Sequence, residues 1–288
     1  MKKSYARAAA TAILLTACIF TCILALGLMA CTELTEVATV PPSTESDAAI
    51  NPEIQEIIDR GVLRVGVKDD TPGFGFFDPE TDQYKGLEID LAHLLAGEIL
   101  GDRDAVEFTP VTADTRGDLL DAKRIDLVIA TFTIREERKE FWNFSQYYFV
   151  DAVGLMVDKD SGLSGLSGFD GKTVAVTAGS TTREAIEQHI EEMSYDIEVN
   201  FQEFPTNQDC AAALEAGHVD AFSVDKVILL GFLSDSTMIL PDSFNSQEYG
   251  IATRLSSPYL TSLVDDFITR IKADGTLEQL KARNNVID

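Results

Sequence analysis

Short apolar runs alternate with longer amphipathic stretches along most of the chain. Buried strands are predicted for runs of four to six residues, and helices for longer stretches whose apolar positions recur every three or four residues. The predicted strands are Val62–Val67, Val106–Thr109, Ile125–Ala130, Thr173–Val176 and Val219–Ser223, and the predicted helices are Leu87–Ile99, Arg116–Ala122 and Arg183–Ile190. This alternation predicts an α/β fold with mainly parallel sheets.

A polar, glycine-rich loop at Asp158–Gly168 separates two such series of elements. The region behind the N-terminal spacer has about 240 residues, a length that suits one large domain or two smaller ones. Because each series has its own strands and helices, we predict two α/β lobes.

The N-terminal segment, residues 1–30, has the pattern of an export signal. Three cations precede an uncharged stretch from Ala8 to Ala30, and the segment contains no Asp or Glu. Its end, Leu28-Met29-Ala30-Cys31, resembles a bacterial lipoprotein signal, which implies that Cys31 is acylated. The uncharged stretch is also long enough for a retained transmembrane helix. Either alternative tethers the protein outside the cytoplasm, and the polar residues 31–52 are predicted to be a flexible linker.

Charge and cysteine content exclude several classes of protein. The formal net charge is −25, so a nucleic acid would be repelled and an anionic ligand requires a local cluster of cations. Cys18 and Cys22 lie in the signal and Cys210 has no mate, so no disulfide framework is expected. Cys210 lies in an apolar helical run and is predicted to be a core thiol. The three histidines lack ligand spacing, so we predict no metal, no catalytic base and no cofactor.

An amphipathic segment, Gly86-Leu-Glu-Ile-Asp-Leu, follows a strand and an aromatic loop. At this segment the chain resembles the bacterial extracellular binding proteins of ABC importers for polar amino acids. Further motifs of that family follow in the same order, and they resemble most the members that bind aspartate or glutamate. These motifs are Ala113–Leu120, Ala130–Arg138 with Asn143–Tyr148, Val174–Thr182 and Val219–Asp225.

The resemblance implies a two-lobed periplasmic-binding-protein fold, in which each lobe is a mainly parallel sheet flanked by helices. We expect lobe 1 over residues 53–152 and 248–288, and lobe 2 over 153–247. Asp151–Val157 and Glu248–Ala252 are the expected two-strand hinge. It also implies a monomeric binding protein without enzymatic activity, which passes a free acidic amino acid to the permease subunits of an ABC importer.

The resemblance assigns Arg138, Thr131 and Thr133 to the amino-acid backbone of the ligand. Arg138 corresponds to the arginine that binds the α-carboxylate, a role that suits a planar guanidinium. Taken alone, Arg138 could equally pair with a nearby glutamate on a helix surface. Threonines in such a run are otherwise ordinary strand residues.

Thr181 and Asp225 are expected to complete the site from lobe 2. Thr181 precedes a helix whose first N–H groups can bind an anion, and Asp225 corresponds to the aspartate that receives the α-ammonium. The competing interpretation of both residues is N-capping of the helices that follow them.

Lys68 and Arg116 are the candidates for binding a second carboxylate on the ligand side chain. Each follows a strand or begins a helix at a predicted crevice, but each could instead be a solvated charge. Arg135 departs from the family pattern and is left unassigned. Phe74, Phe76 and Phe77 could cover the ligand or pack onto their own lobe.

Other functions stay open at this point. The sequence does not separate aspartate from glutamate, because one methylene changes affinity by only about 1–3 kcal/mol. Glutamine or another polar amino acid is the nearest alternative ligand. A dehydratase-like enzyme of the same fold, or a surface adhesin or sensor partner, is a more distant one.

Overall fold

The computed structural model describes residues 51–286. The predicted signal, Cys31 and nearly all of the predicted linker lie outside these residues. None of the described helices has the length and apolar character needed to cross a bilayer. The helices are α1 (Pro52–Arg60), α2 (Leu87–Leu100), α3 (Thr115–Asp121), α4 (Glu136–Lys139), α5 (Thr182–Met193), α6 (Asn207–Glu215), α7 (Lys226–Leu230), α8 (Pro258–Ala273) and α9 (Thr276–Arg283), with a 3₁₀ turn at Leu166–Gly168.

The strands fall into two large sheets and one small antiparallel sheet. They are β1 (Leu63–Val67), β2 (Asp70–Thr71), β3 (Gly75–Asp78), β4 (Gln83–Lys85), β5 (Val106–Pro110), β6 (Leu127–Ile129), β7 (Trp142–Phe144), β8 (Phe149–Asp158), β9 (Thr173–Thr177), β10 (Asn200–Phe204), β11 (Ala221–Asp225), β12 (Thr237–Ile239), β13 (Phe244–Tyr249) and β14 (Ala252–Arg254).

The first lobe is built on a five-stranded sheet with the order β5-β1-β6-β14-β7. β1 pairs in parallel with β5 and β6, and β14 pairs antiparallel with β6 and β7. Val65 and Val67 are buried in the interior strand β1, as expected for a strand covered on both faces. The main core joins this sheet to α1, α2, α8 and α9, so the C-terminal segment packs on the first lobe.

The second lobe is built on a sheet with the order β10-β9-β11-β8-β12, and β13 also pairs with β8. β9 is parallel to β10 and β11, whereas β8 is antiparallel to each of its three partners. Helices α5, α6 and α7 flank this sheet. Cys210 lies on the buried face of α6 and is fully buried in the core, which confirms the predicted packed thiol.

The chain passes between the two sheets twice within residues 51–286. The first passage is residues 145–148, between β7 and β8, and the second is Gly250–Ile251, between β13 and β14. The expected lobe boundaries at 152/153 and 247/248 therefore fall inside β8 and β13. The loop 158–168, expected between the two lobes, instead joins β8 to β9 within the second lobe. The two passages meet, because the Ser145 N–H donates to the Ile251 carbonyl at 2.9 Å.

The predicted two-lobed α/β fold is confirmed. Both sheets are mixed: a parallel core of three strands is extended by antiparallel strands at the passages between the lobes. In each lobe the parallel strands are followed by loops and helix starts that face the cleft, which is where open α/β sheets bind ligands.

Candidate functional site

All seven ligand residues nominated from the sequence line one cavity between the lobes. The first lobe supplies the end of β1, α3, the loop after β6 and α4, and the second lobe supplies the loop after β9, α6 and the end of β11. The lining residues are Lys68, Ala113, Arg116, Thr131, Thr133, Arg138, Thr177, Ser180, Thr181, Thr182, Asn207, Val224, Asp225 and Ile228.

Arg138 links the two lobes across this cavity. One terminal nitrogen of its guanidinium donates to the Thr133 carbonyl at 2.9 Å, and the other donates to the Gly179 carbonyl of the second lobe at 3.2 Å. Burial, followed by the neighbouring charge of Arg135, lowers the pKa of Arg138 to about 10. An anion next to this guanidinium would offset the cost of burying it.

Arg116 and Arg138 both pack against the ring of Phe132. The guanidinium carbon of Arg116 is 3.7 Å from the centre of the Phe132 ring, and that of Arg138 is 4.9 Å from it. Nη1 of Arg116 donates to the Ala130 carbonyl at 2.8 Å, while Nε has no hydrogen-bond partner among residues 51–286. Burial and the nearby charge of Arg138 lower the pKa of Arg116 well below its usual range. This cation therefore has unused capacity to bind an anion.

Lys68 lies at the end of β1 and is only 5% exposed. Its ammonium is 3.1 Å from Oδ1 of Asp70. The other carboxylate oxygen of Asp70 accepts a hydrogen bond from the Asn207 side chain of the second lobe at 3.3 Å. Lys68 and Asp70 therefore form part of a second polar contact between the lobes.

Thr131 has a left-handed backbone, with φ at 43°. Its N–H donates to Oε1 of Glu88 at 2.6 Å, and the same oxygen accepts from the Tyr148 hydroxyl at 2.5 Å. Oε2 of Glu88 has no partner within the described residues. Because Glu88 is fully buried, its pKa rises to about 7 despite these bonds. The Glu88 carboxyl holds the strained residue that lines the cavity.

Asp225 ends β11 and lies at the cavity with 6% exposure. Its Oδ2 accepts from the Tyr249 hydroxyl at 2.5 Å. Burial and then the neighbouring carboxylate of Asp151 raise the pKa of Asp225 to about 7. An ammonium at this carboxylate would favour its charged form and so lower its pKa.

Thr181 precedes α5, and its hydroxyl donates to Oε1 of Gln247 at 2.9 Å. Neither Thr181 nor Asp225 makes a side-chain capping bond to the described helix that follows it. N-capping, the competing interpretation of both residues, is therefore wrong for this structure.

The other candidates lie away from the described cavity lining. Phe74 packs in the first core at 5.0 Å from the Phe149 ring, and Phe76, Phe77 and the three histidines do not line the cavity. Nε of Arg135 is 3.7 Å from Oε2 of Glu137. No group of His, Cys, Asp or Glu suited to a metal ion occurs within residues 51–286.

Charge distinguishes this cavity from the rest of the molecule. Lys68, Arg116 and Arg138 are the cations of the described lining, in a chain with a net charge of −25. Asp225 supplies an anionic group from the second lobe. The arrangement suits a small molecule with anionic groups and one ammonium.

Residues 63–285 match the family model described as bacterial extracellular solute-binding proteins, family 3. This match covers most of the chain. The chain belongs to this family.

Named relatives of this solute-binding protein have different ligands. The glutamine-binding protein of Geobacillus stearothermophilus is 38% identical over 214 residues, which are 73% of this chain and 79% of the relative. A glutamate-binding protein of Corynebacterium glutamicum is 27% identical over 79% of each chain. A similar solved structure is an ancestral amino acid-binding protein described as a precursor of cyclohexadienyl dehydratase, with a TM-score of 0.70 and 29% identity over 80% of this chain and 98% of that one.

Sequence reasoning about this solute-binding protein missed the residues that support the lining. Phe132 lies between two nominated threonines, yet its stacking with two arginines has no signature of its own in the sequence. Glu88 belongs to the segment that begins at Gly86, but an ordinary amphipathic helix also explains that segment. Tyr249 is distant from Asp225 along the chain, so only the pairing of β8 with β11 and β13 brings them together.

Proposed function

We propose that this solute-binding protein captures a free acidic amino acid, aspartate or glutamate, outside the cytoplasm and delivers it as a monomer to the permease subunits of an ABC importer. The observation that carries the proposal is the cluster of Lys68, Arg116 and Arg138 around one buried cavity in a strongly acidic chain. Such cations are retained in a buried site when an anion pairs with them.

The amino-acid backbone of the ligand is assigned to Arg138 and Asp225. Arg138 has the planar donors that match an α-carboxylate, and the N–H groups that begin α5 next to Thr181 add donors from the second lobe. Asp225 offers Oδ1 to the α-ammonium while Oδ2 keeps its bond with Tyr249. Charge-assisted contacts of about 1.5–3 kcal/mol each suffice for micromolar affinity after ordering costs.

The side-chain carboxylate of the ligand is assigned to Arg116 and Lys68. Nε of Arg116, which has no partner in the described part of the chain, and the buried ammonium of Lys68 both favour a charged oxygen. A glutamine side chain offers one neutral acceptor and needs an acceptor for its NH₂ group. The glutamine-binding relative makes glutamine the main competing ligand.

Capture is assigned to closure of the lobes around the ligand. Contacts between the lobes already surround the cavity, at Arg138 with Gly179 and at Asp70 with Asn207. Each lobe carries only part of the charge that neutralises a dicarboxylic amino acid. The ligand therefore binds the closed arrangement more strongly than the open one, and this difference shifts the population toward closure.

A dehydratase-like activity is the second candidate, favoured by the relative described as a dehydratase precursor and by the pKa of Asp225 near 7. We assign Asp225 to the ligand ammonium instead, which leaves this carboxylate unavailable for proton transfer. Incubation of the protein with prephenate-like acids tests this choice, because product formation would show an enzyme.

Calorimetric titration of residues 31–288 with glutamate, aspartate, glutamine and asparagine tests the proposal. We expect at least one dicarboxylic amino acid to bind with micromolar or tighter affinity, about tenfold or more above its amide. Stronger binding of glutamine would overturn the acidic specificity. Deletion of the gene should reduce uptake of the radiolabelled ligand by intact cells, and unchanged uptake would contradict the role in import.

A further inference from the structure

Asp225 occupies the N-cap position of α7 without capping it. Its backbone has the φ of −57° and ψ of 141° of a residue that starts a helix, yet no side-chain capping bond is formed within the described residues. An aspartate at this position ordinarily bonds to a free N–H of the first turn. Another interaction therefore holds this carboxylate away from the helix.

The N-terminus of α7 has a substitute cap from a different strand. Oδ2 of Asp151, in β8, accepts a hydrogen bond from the Val227 N–H at 3.0 Å. This N–H belongs to the first turn of α7, where an N-cap side chain ordinarily bonds. Asp151 thus takes over the bond that Asp225 would otherwise make.

Because Asp151 caps α7, the carboxylate of Asp225 is available to another partner. That partner is Tyr249. Its hydroxyl lies 2.5 Å from Oδ2 of Asp225 and 3.4 Å from Oδ2 of Asp151. The Tyr249 ring is fully buried and packs against Phe74 and Phe149 at centroid distances of 6.0 and 5.9 Å. The hydroxyl is therefore fixed by its own packing and cannot follow Asp225 toward α7.

We infer that Tyr249 is a positioning residue that holds the Asp225 carboxylate toward the cavity, where Oδ1 receives the ammonium of the ligand. The inference rests on the proposed function, because it concerns the residue assigned to that ammonium. The inference gives each residue a separate role: Asp151 stabilises the start of α7, Tyr249 orients the Asp225 carboxylate, and Asp225 binds the ammonium.

The charges around Asp225 make this role measurable by pH. Asp151 faces it from β8, Tyr249 from β13, Arg116 from α3 and Arg138 from α4. Lys226, the next residue in the chain, directs its ammonium to the Pro241 carbonyl at 3.1 Å. Burial and Asp151 raise the pKa of Asp225, whereas the Tyr249 bond and the two arginines lower it.

The test compares Tyr249→Phe with Tyr148→Phe. Both variants remove one buried phenol hydroxyl that donates to a carboxyl oxygen at 2.5 Å, but Tyr148 bonds to Glu88, which lies outside the described cavity lining. Affinity for the acidic amino acid is measured by calorimetry between pH 5.5 and 8.5. Thermal denaturation establishes that each variant is folded.

In the wild-type protein, affinity should rise with pH through about 7 and then level off, because the ammonium binds the ionised Asp225. In Tyr249→Phe, affinity at pH 7 should fall roughly 10- to 100-fold and the midpoint of the profile should move to higher pH. In Tyr148→Phe, the midpoint should stay where it is. An unchanged midpoint in Tyr249→Phe, or equal shifts in both variants, overturns the inference.

Asp151→Asn provides a second test that does not depend on Tyr249→Phe folding. The asparagine keeps an acceptor for the Val227 N–H and removes the charge that faces Asp225. The midpoint should then move to lower pH, and an unchanged midpoint contradicts the arrangement. If the wild-type protein binds no amino acid at all, the proposed function fails; if it binds and the variants behave alike, only the inference fails.

Discussion

Tyr148 donates its backbone N–H to the carbonyl of Tyr249 at 2.8 Å, and this bond joins the first passage between the lobes to the end of β13, next to the second passage. Each of these tyrosines also donates its hydroxyl to a buried carboxyl, Tyr148 to Glu88 and Tyr249 to Asp225. Glu88 supports the lining from the first lobe and Asp225 lines the cavity from the second. The passage between lobes and the ligand site are thus one hydrogen-bonded unit.

Replacing Lys68 should change which ligand the protein prefers. In Lys68→Gln, Asp70 loses its ion-pair partner and the site loses one of its cations. Affinity for the dicarboxylic ligand should fall roughly 10- to 100-fold, while affinity for its amide changes by less than about threefold. Calorimetric titration with both ligands measures this ratio.

Lys85→Gln is the control for that substitution. Lys85 also pairs with an aspartate, Asp78, but its side chain is about half exposed and lies outside the described lining. Its replacement should leave both affinities unchanged. Equal losses for acid and amide in Lys68→Gln would show that Lys68 does not contact the side-chain carboxylate.

A methyl group at Gly179 should keep the lobes apart. Gly179 has φ of +70°, and a Cβ there would lie 2.9 Å from the Asp114 backbone in the other lobe. Because two backbones meet at this contact, neither can yield locally. Gly179→Ala should therefore weaken ligand binding by at least about tenfold and increase the radius of gyration of the liganded protein in small-angle X-ray scattering.

Gly171→Ala is the control that separates the effect of the clash at Gly179 from the effect of strain in a left-handed backbone. Gly171 has a similar φ of +68°, but no heavy atom of the described residues beyond its chain neighbours lies within 4 Å of a Cβ at that position. Both variants should lose about 1 kcal/mol of unfolding free energy through the left-handed alanine. Only Gly179→Ala should lose affinity, and equal affinities in the two variants would contradict the predicted effect on closure.

Glu88 should make the unfolding free energy depend on pH. Burial raises its pKa from 4.5 to about 7, so the folded protein binds more protons than the unfolded chain between these values. Stability from Glu88 is therefore fully present below about pH 4.5 and is lost as the pH rises through 7, by on the order of 3 kcal/mol.

Glu88→Gln should remove this contribution. The carboxamide keeps an oxygen for Tyr148 and Thr131 and cannot ionise. Urea denaturation at pH 5 and pH 8 should show a smaller stability loss in Glu88→Gln than in the wild-type protein. Glu191 is exposed, so Glu191→Gln should lose as much stability between pH 5 and pH 8 as the wild-type protein does. If Glu88→Gln also loses as much, the Glu88 carboxyl is not the cause of the pH dependence.

The predicted acylation of Cys31, which lies outside the described residues, can be tested directly. If the N-terminus is a lipoprotein signal, cells fed an alkyne-tagged fatty acid should label the wild-type chain and Cys210→Ala but not Cys31→Ser. A wild-type chain that stays in the membrane fraction without label, with residues 1–30 intact by mass spectrometry, would favour the retained transmembrane helix.

The elements that sequence patterns predicted best include the largely buried strands β1 and β9 and the long helix α2. Predicted and observed bounds agree within one residue for β1, α2, β5, α3 and β9. The small sheet β2-β3-β4 was not predicted, because strands of two to four residues are too short for an alternating pattern to emerge. The hairpin's Pro72 and Gly73 favoured a loop instead.

The candidate site divides in a similar way. Arg138 and Asp225 could be nominated because each belongs to a contiguous motif, and the neighbouring residues of that motif identify it. Tyr249 could not, because its role depends on which strands pair and on a helix cap supplied by Asp151. The local sequence favoured Asp225 as the cap of α7. That interpretation is wrong because Asp151, 74 positions earlier in the chain, supplies the capping bond.

The position of β14 has a consequence for the order of synthesis. β14 lies between β6 and β7, and the Asn143 side chain bonds to the Arg254 carbonyl 111 residues later. A growing chain therefore cannot complete the first sheet until the whole second lobe and β14 have been made. Contacts of such long range form slowly, because a large loop must close first. The chain thus stays incompletely folded for most of its time on the ribosome, which is the state that a translocation channel accepts.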